Sequence, residues 1–342
     1  MASINVVRVG TRGSALARRQ TDQVLELLRE RHPQLEFDVS IVHTRGDANA
    51  NAPLAGMGLG VFVREIEQQL RSGRLDLAVH SLKDLPTQLP DGLTIGAVLE
   101  REDPRDVQVN RWGCPLSELP PAARIGTSSP RRASQLRHNC PGVMVVPIRG
   151  NVETRLSKAQ GGECDGAILA AAGLIRLGLT QRITEYLPPQ LFVPPPGQGV
   201  LAVEMRDHEP HLAGLLQAIE HVPTRQAIVA ERAFLAALGG GCQVPVGAYA
   251  FIEPGGSEPG GSEPGGSEPG GSEPGGLYEP ETPDAPTLSL TVFIGSPDGK
   301  RVFRETRRGP IHLPLDLAAD AYQALLHQGA GNLLETARSV GN

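Results

Sequence analysis

Apolar positions in the N-terminal half of the chain switch repeatedly between two periods. Val6 to Val9 predicts a strand. Behind the capping residue Ser14, Leu16, Val24, Leu27 and Leu28 recur at helical spacing up to the stop at His32-Pro33. Phe37 to Val42 predicts a second strand, and Phe62 to Arg71 a helix with Val63, Ile66 and Leu70 on one face. Leu75 to His80 and Leu93 to Val98 read as further strands. Such alternation predicts α/β layers around a mostly parallel sheet. The unit then repeats. Ile125 leads into Ser128-Ser129-Pro130, a helix start with proline at the first helical position. Val143 to Ile148 predicts a strand, Asn151 caps a helix to Gln160, and Ala167 to Ala171 is another apolar strand. The strand Val200 to Glu204 follows the run Pro194-Pro195-Pro196-Gly197-Gln198-Gly199. Linkers are expected near Glu100 to Arg105 and from Leu187 to Gly199.

The C-terminal third has a different pattern. Ala227 to Leu238 is an alanine-rich helical stretch ended by Gly239-Gly240-Gly241, and Leu315 to His327 predicts a last helix. Val246 to Ile252 and Leu288 to Ile294 read as strands. Between them, residues 254–276 carry four copies of Pro-Gly-Gly-Ser-Glu followed by Pro-Gly-Gly. That composition cannot bury a core, so the segment is expected to be a disordered, expanded hairpin loop, tolerated because closure entropy grows slowly with length. This part reads as a small α+β domain. The 342 residues are enough for two or three domains with cores of their own.

Candidate chemistry gathers at helix starts. Thr11-Arg12-Gly13-Ser14, Gly126-Thr127-Ser128-Ser129-Pro130-Arg131-Arg132 and Arg149-Gly150-Asn151-Val152-Glu153-Thr154-Arg155 each join a strand to a helix. Free backbone N–H groups, hydroxyls and the helix dipole favour anions there, and arginine pairs bidentately with carboxylate or phosphate. Three such turns point to a polyanionic ligand held between two α/β lobes, although any single arginine is equally well a solvated surface charge. His80-Ser81-Leu82-Lys83-Asp84-Leu85-Pro86 follows a strand, at the end where open α/β sheets bind ligands. Asp84 is a candidate acid/base or cation-stabilising carboxylate. Lys83 is a candidate carboxylate anchor or imine-forming amine, or the two form a local ion pair closing a turn. Cys242, in the bare loop Gly239-Gly240-Gly241-Cys242-Gln243-Val244-Pro245, is accessible to a bulky group, or is an inert thiol beside a helix cap.

Composition narrows the options. The chain is 39% hydrophobic and 20% charged, with a net charge of −6, which disfavours non-specific nucleic-acid binding, and its aromatics are few (Trp 1, Tyr 4, Phe 7). Only three of the 32 basic residues are lysine (Lys83, Lys158, Lys300), so Lys83 is not surface filler by default. Cys114, Cys140, Cys164 and Cys242 lack C-x-x-C spacing, which predicts no zinc site and no disulfide framework. No signal peptide or membrane span is read, and a cytosolic setting is expected. Gly56-Met57-Gly58-Leu59-Gly60 and His208-Glu209-Pro210-His211 fail the dinucleotide and metalloprotease spacings.

At these same residues the chain resembles the porphobilinogen deaminases. The matching stretches are Thr11 to Ser14, Val79 to Pro86, Glu102-Asp103-Pro104-Arg105-Asp106, Gly126 to Arg132, Arg149 to Asn151 with Thr154 to Lys158, and Gly240 to Pro245. They stand in family order and cover nearly the whole chain outside the Pro-Gly-Gly-Ser-Glu insert. The resemblance implies two lobes like those of a periplasmic binding protein, residues 1–99 with 200–217 and residues 100–199, plus a third α+β domain, 218–342. It implies a dipyrromethane cofactor attached to Cys242 by a thioether and contacted by Lys83, Asp84, Thr127, Ser129, Arg131, Arg132 and Arg155. Arg12, Ser14, Phe62, Arg149, Arg155 and Arg176 are implied as substrate contacts, and Asp84 as the catalytic carboxylate. Porphobilinogen units would be added one at a time with loss of ammonia, and the linear tetrapyrrole hydroxymethylbilane released by hydrolysis. A monomer with no metal, nucleic-acid or membrane partner is implied. One departure stands out: where the family carries lysines before the phenylalanine, this chain has Leu59-Gly60-Val61-Phe62, one residue short at Gly56-Met57-Gly58. The competing reading is a non-catalytic two-lobed receptor for a carboxylate-rich ligand, against which stand Asp84 after Lys83 and the Cys242 loop in a third domain.

Overall fold

The computed structural model describes residues 6–43, 63–239, 244–254 and 285–340, with side chains to 335. Phe62, Cys242 and the repeats within 255–284 lie outside the described residues.

The first sheet holds β1 (Val6–Arg12), β2 (Glu36–Val42), β3 (Leu77–Ser81), β4 (Leu93–Val98) and, from far along the chain, β10 (Leu201–Arg206), in the order β2-β1-β3-β10-β4. The second holds β5 (Asp106–Asn110), β6 (Arg124–Gly126), β7 (Met144–Val146), β8 (Gly166–Ala170) and β9 (Glu185–Tyr186), in the order β7-β6-β8-β5-β9. The two arrangements are equivalent. In each, the fourth strand is antiparallel to both neighbours and is the strand that has just crossed from the other lobe. Residues 99–105 carry the chain across and residues 187–200 carry it back, at the two linkers expected from composition. This topology fixes where a site can form. β10 and β5 begin at the crossings and run against their neighbours, so the carboxyl ends of β1, β3, β6 and β8 all face the cleft between the lobes.

Local sequence explains the elements that flank the cleft. In α1 (Ala15–Arg31), Val24, Leu25 and Leu28 are buried on one face, Ser14 Oγ accepts from Ala17 N at 3.2 Å, and the helix ends where His32 N donates to Leu28 O, just before Pro33. The helix at 62–71 is described as α2 (Arg64–Arg71). In the second lobe, α3 (Pro130–Asn139) and α4 (Val152–Gln160) are capped by Ser129 and Asn151. The apolar run ending at Ala171 divides: β8 stops at Ala170, and Ala171 opens the short helix α5 (Ala171–Arg176). Leu16 of α1 packs near Gly173 of α5, a contact between the lobes.

The third unit is the antiparallel sheet β11 (Val246–Glu253), β12 (Thr287–Gly295) and β13 (Val302–Pro310), packed against α7 (Val222–Ala237), α8 (Pro314–His327) and α9 (Gly331–Val340); α6 (Pro210–Gln217) belongs to the first lobe's core. Phe234 is fully buried among these elements, worth about 1.5–3 kcal/mol of hydrophobic stabilisation. Glu253 pairs directly with Thr287, so the inserted segment joins two ends that are already adjacent. Deleting 254–276 is therefore expected to leave activity unchanged and to shift unfolding by no more than about 1 kcal/mol. Lost activity in a chain that still folds, read by urea unfolding alongside an assay, would assign the insert a role.

Candidate active site

Both lobes deliver their side chains to the cleft through strand-to-helix turns. β1 ends at Arg12, and Ser14 begins the next helix two residues later. β3 runs into a single 3-10 turn, Leu82–Asp84. Leu82 is buried beneath that turn, which leaves Lys83 and Asp84 half-buried at its rim. Gln20 of α1 donates to Ser81 Oγ at 2.8 Å, tying the two turns of this lobe together.

In the second lobe, Thr127 Oγ1 accepts from Ser129 N (3.1 Å) and Ser129 Oγ accepts from Arg132 N (3.4 Å), so both hydroxyls shape the start of α3. Gly150 has φ +111°, and a Cβ there would lie 2.5 Å from Thr154, so the turn that presents Arg149 requires glycine. Arg155 folds back to donate Nε–H to Gly150 O at 2.8 Å.

The centre of the site is a buried ion cluster. Asp106, at the first position of β5, binds Arg131 Nη2 through Oδ2 (2.8 Å) and Arg132 Nη2 through Oδ1 (2.7 Å). All three residues are buried. Burial alone would push the Asp106 carboxyl up, but the two guanidiniums and Gln198 hold it far below the usual carboxylate range. Arg132 is further fixed by Ile168 O and Arg131 by Val193 O. Burial, then the charge of Arg132, draws the Lys83 ammonium down to about 8, against the opposing pull of Asp84 and Asp106. Arg155 falls to about 10 through burial and the charges of Arg132 and Arg149, with Asp84 opposing. Asp84 of one lobe thus interacts with Arg155 of the other.

Lys83, Asp84, Arg131, Arg132, Arg149 and Arg155 therefore converge on one place, with five cations against the carboxylates of Asp84 and Asp106. Arg149 has no hydrogen-bond or ion-pair partner among the described residues, and Arg131 Nε is buried with no acceptor. Such an excess of cations fits an anionic, multi-carboxylate group. Arg176 stands slightly apart, donating to Gly199 O at 2.7 Å; burial lowers it to about 10.

Sequence reasoning assigned no role to four residues that organise this region: Asp106, Gln198, Arg101 and Glu231. The buried Glu231 of α7 accepts from Gly197 N (2.7 Å) and Ala250 N (2.8 Å) and pairs with Arg101 (2.8 Å), so it joins both lobe crossings to the third unit. The ends of the Cys242 loop also lie beside that junction. Gly239, at φ +78°, closes α7, and β11 begins next to the second crossing, where Ala248 N donates to Pro194 O at 2.9 Å.

A two-lobed α/β protein with a cationic, carboxylate-binding cleft and a third domain docked on its crossings is the class these features define. Family comparison narrows it. Residues 7–213 match a family model described as "Porphobilinogen deaminase, dipyromethane cofactor binding domain", and residues 225–258 match "Porphobilinogen deaminase, C-terminal domain". The curated porphobilinogen deaminase of Thermus thermophilus is 42% identical over 98% of this chain and 100% of its own length. That of Brevibacillus brevis is 41% identical over 96% of both. Among solved structures, the BvgS VFT2 domain of Bordetella pertussis is similar at 18% identity and a TM-score of 0.39, covering 63% of this chain and 86% of that domain, too distant to bear on ligand or activity. The chain belongs to the porphobilinogen deaminase family, transferases of tetrapyrrole biosynthesis whose first domain binds a dipyrromethane cofactor. The family match favours the catalytic reading over the receptor. Among the described residues, no helix is long and apolar enough to cross a membrane.

Proposed function

We propose that the chain joins porphobilinogen units, with release of ammonia, onto a dipyrromethane held by Cys242, and hydrolyses off the linear tetrapyrrole hydroxymethylbilane. The observation that carries this is the cationic cleft around a single half-buried carboxylate, Asp84, that meets Lys83 from its own lobe and Arg155 from the other. Lys83, Thr127, Ser129, Arg131, Arg132 and Arg155 would hold the cofactor's carboxylates. Arg12, Ser14, Phe62, Arg149, Arg155 and Arg176 would receive those of the incoming substrate. When bound, the dipyrromethane supplies the electron-rich pyrrole carbon at which the chain grows.

Asp84 does the electrostatic work. Losing the amino group makes a substrate pyrrole electron-poor, and a fixed carboxylate beside its ring nitrogen stabilises the developing positive charge and can move a proton there. The arginines neutralise the carboxylates that accumulate with each unit. Crossings at 99–105 and 187–200 serve as the hinge between lobe 1–99 with 200–217 and lobe 100–199, with 218–342 as the third domain; motion there would accommodate a longer product. The same reading makes the enzyme a cytoplasmic monomer that works on a small molecule alone.

Intact mass tests the attachment. The purified chain is expected to carry an added mass equal to two linked pyrrole units, absent from a Cys242→Ser variant. No adduct after incubation with porphobilinogen would instead favour the two-lobed receptor.

A further inference from the structure

Gln198 lies on the second lobe crossing and is fully buried. Its amide uses all of its hydrogen-bonding positions on groups from different parts of the molecule. Oε1 accepts from Lys83 Nζ (3.2 Å) in the first lobe and from Arg132 Nη2 (3.5 Å) in the second. Nε2 donates to Pro104 O (2.8 Å) on the first crossing and to Asp106 Oδ1 (2.9 Å) at the start of β5. These partners fix which way the amide points. Flipping it would set its NH2 against two cations and its carbonyl against a carboxylate and a backbone oxygen.

The backbone around Gln198 is built to the same end. Gly197 and Gly199 both have positive φ (+74° and +87°). A Cβ on Gly199 would lie 2.2 Å from Glu102 O of the other crossing, and one on Gly197 would lie 2.8 Å from Leu82, the residue before Lys83. Only glycines let the segment press against both. No other hydrogen bond is made by the Lys83 ammonium among the described residues. It sits with Arg131 and Arg132 on one side and with Asp84 and Asp106 as the neighbouring carboxylates.

From this arrangement we infer that Gln198 is a positioning residue: its carbonyl holds the Lys83 ammonium charged and aimed into the cleft beside Asp84. The inference rests on the proposed use of the cleft, in which Lys83 receives a carboxylate. A neutral amide is what the place requires. A carboxylate at 198 would face Asp106, and an apolar side chain would leave Lys83 without its acceptor and Asp106 without one donor.

The consequence can be read on Lys83 itself, because the chain has only three lysines. The full chain carrying Cys242→Ser would be labelled with ε-13C-lysine and titrated by NMR, with Lys83→Arg assigning the signal. Lys83 is expected to titrate near 8 in this parent. Gln198→Leu removes the acceptor and should lower the midpoint by roughly half a pH unit or more. Gln198→Glu places negative charge there and should raise it by a similar amount. If the leucine variant fails to fold, the glutamate variant alone decides. A Lys83 midpoint unmoved by the folded variants, or moved in the same direction by both, would overturn the assignment. The titration is readable whether or not Cys242 carries an adduct. An unmoved midpoint in a chain whose adduct is present therefore sinks this inference alone, and a missing adduct sinks only the functional reading.

Discussion

Replacing Asp84 by asparagine is expected to lower turnover by about 10²- to 10⁴-fold, the range for a positioned group that stabilises charge or moves a proton in the transition state. Asparagine keeps the size and much of the hydrogen-bonding capacity, so the loss measures the charge. Asp84 sits on a turn fixed from below by buried Leu82, and its interacting charges, Lys83 and Arg155, come from separate lobes. The fold therefore should not depend on it, and urea unfolding of the variant should stay within about 1 kcal/mol of the parent, as for partly exposed ion pairs generally. The effect should fall on kcat rather than KM, because the arginines that bind carboxylates remain. Asp84→Glu restores charge but displaces it by one methylene, and should recover only part of the rate. If Asp84→Asn kept a third or more of the parent's turnover, Asp84 would be only a partner that orders Lys83 and Arg155, and the stabilisation of positive charge would have to come from elsewhere.

Much of this site was legible because each local signal has one physical cause. Ser14, Ser129 and Asn151 were read as caps, and each accepts the expected backbone N–H. The two crossings fell where proline and glycine interrupt the periodic pattern. The strands flanking the insert proved to be antiparallel partners. Other features had no local signal. β5 holds Asp106 and Gln108 among its buried residues and lacks a strand-like apolar pattern; it is a strand because it enters the middle of a sheet after crossing from the other lobe. α5 was hidden in an apolar run that serves two elements. Asp106 and Gln198 lie within motifs noticed in the sequence, yet they meet across 92 residues. No spacing rule reaches that far. The buried pair Arg101 and Glu231 is silent for the same reason, since each charge looks solvated until the third domain closes over the crossings.

The other large effect belongs to Asp106. Changing it to asparagine or alanine leaves two buried guanidiniums sharing no counterion, and breaking one side of a buried ion cluster typically costs about 3–5 kcal/mol. Asp106 is fully enclosed and bound through both oxygens, so solvent cannot replace it. The pH dependence gives the effect a sign. Its carboxyl is held well below the ordinary value near 4 of an unfolded chain. A depressed acid contributes stability that is fully present above the unfolded value and is lost as pH falls through the folded one. The deficit of Asp106→Asn should therefore be complete at pH 7 and narrow below about pH 4. Urea unfolding followed by circular dichroism at pH 7 and pH 4 reads both. A compensating change checks the cause. If the penalty arises from stranded cations, Asp106→Leu combined with Arg131→Met and Arg132→Leu should recover stability that Asp106→Leu alone loses, because an apolar set of similar volume avoids the desolvation cost. That triple variant would keep its fold and lose carboxylate binding, separating what the cluster does for stability from what its net positive charge does for the cleft. A single Asp106→Asn chain as stable as the parent at pH 7 would mean that Arg131 and Arg132 are satisfied by the carbonyls of Val193 and Ile168 alone, and the cluster would then serve ligand binding rather than the fold.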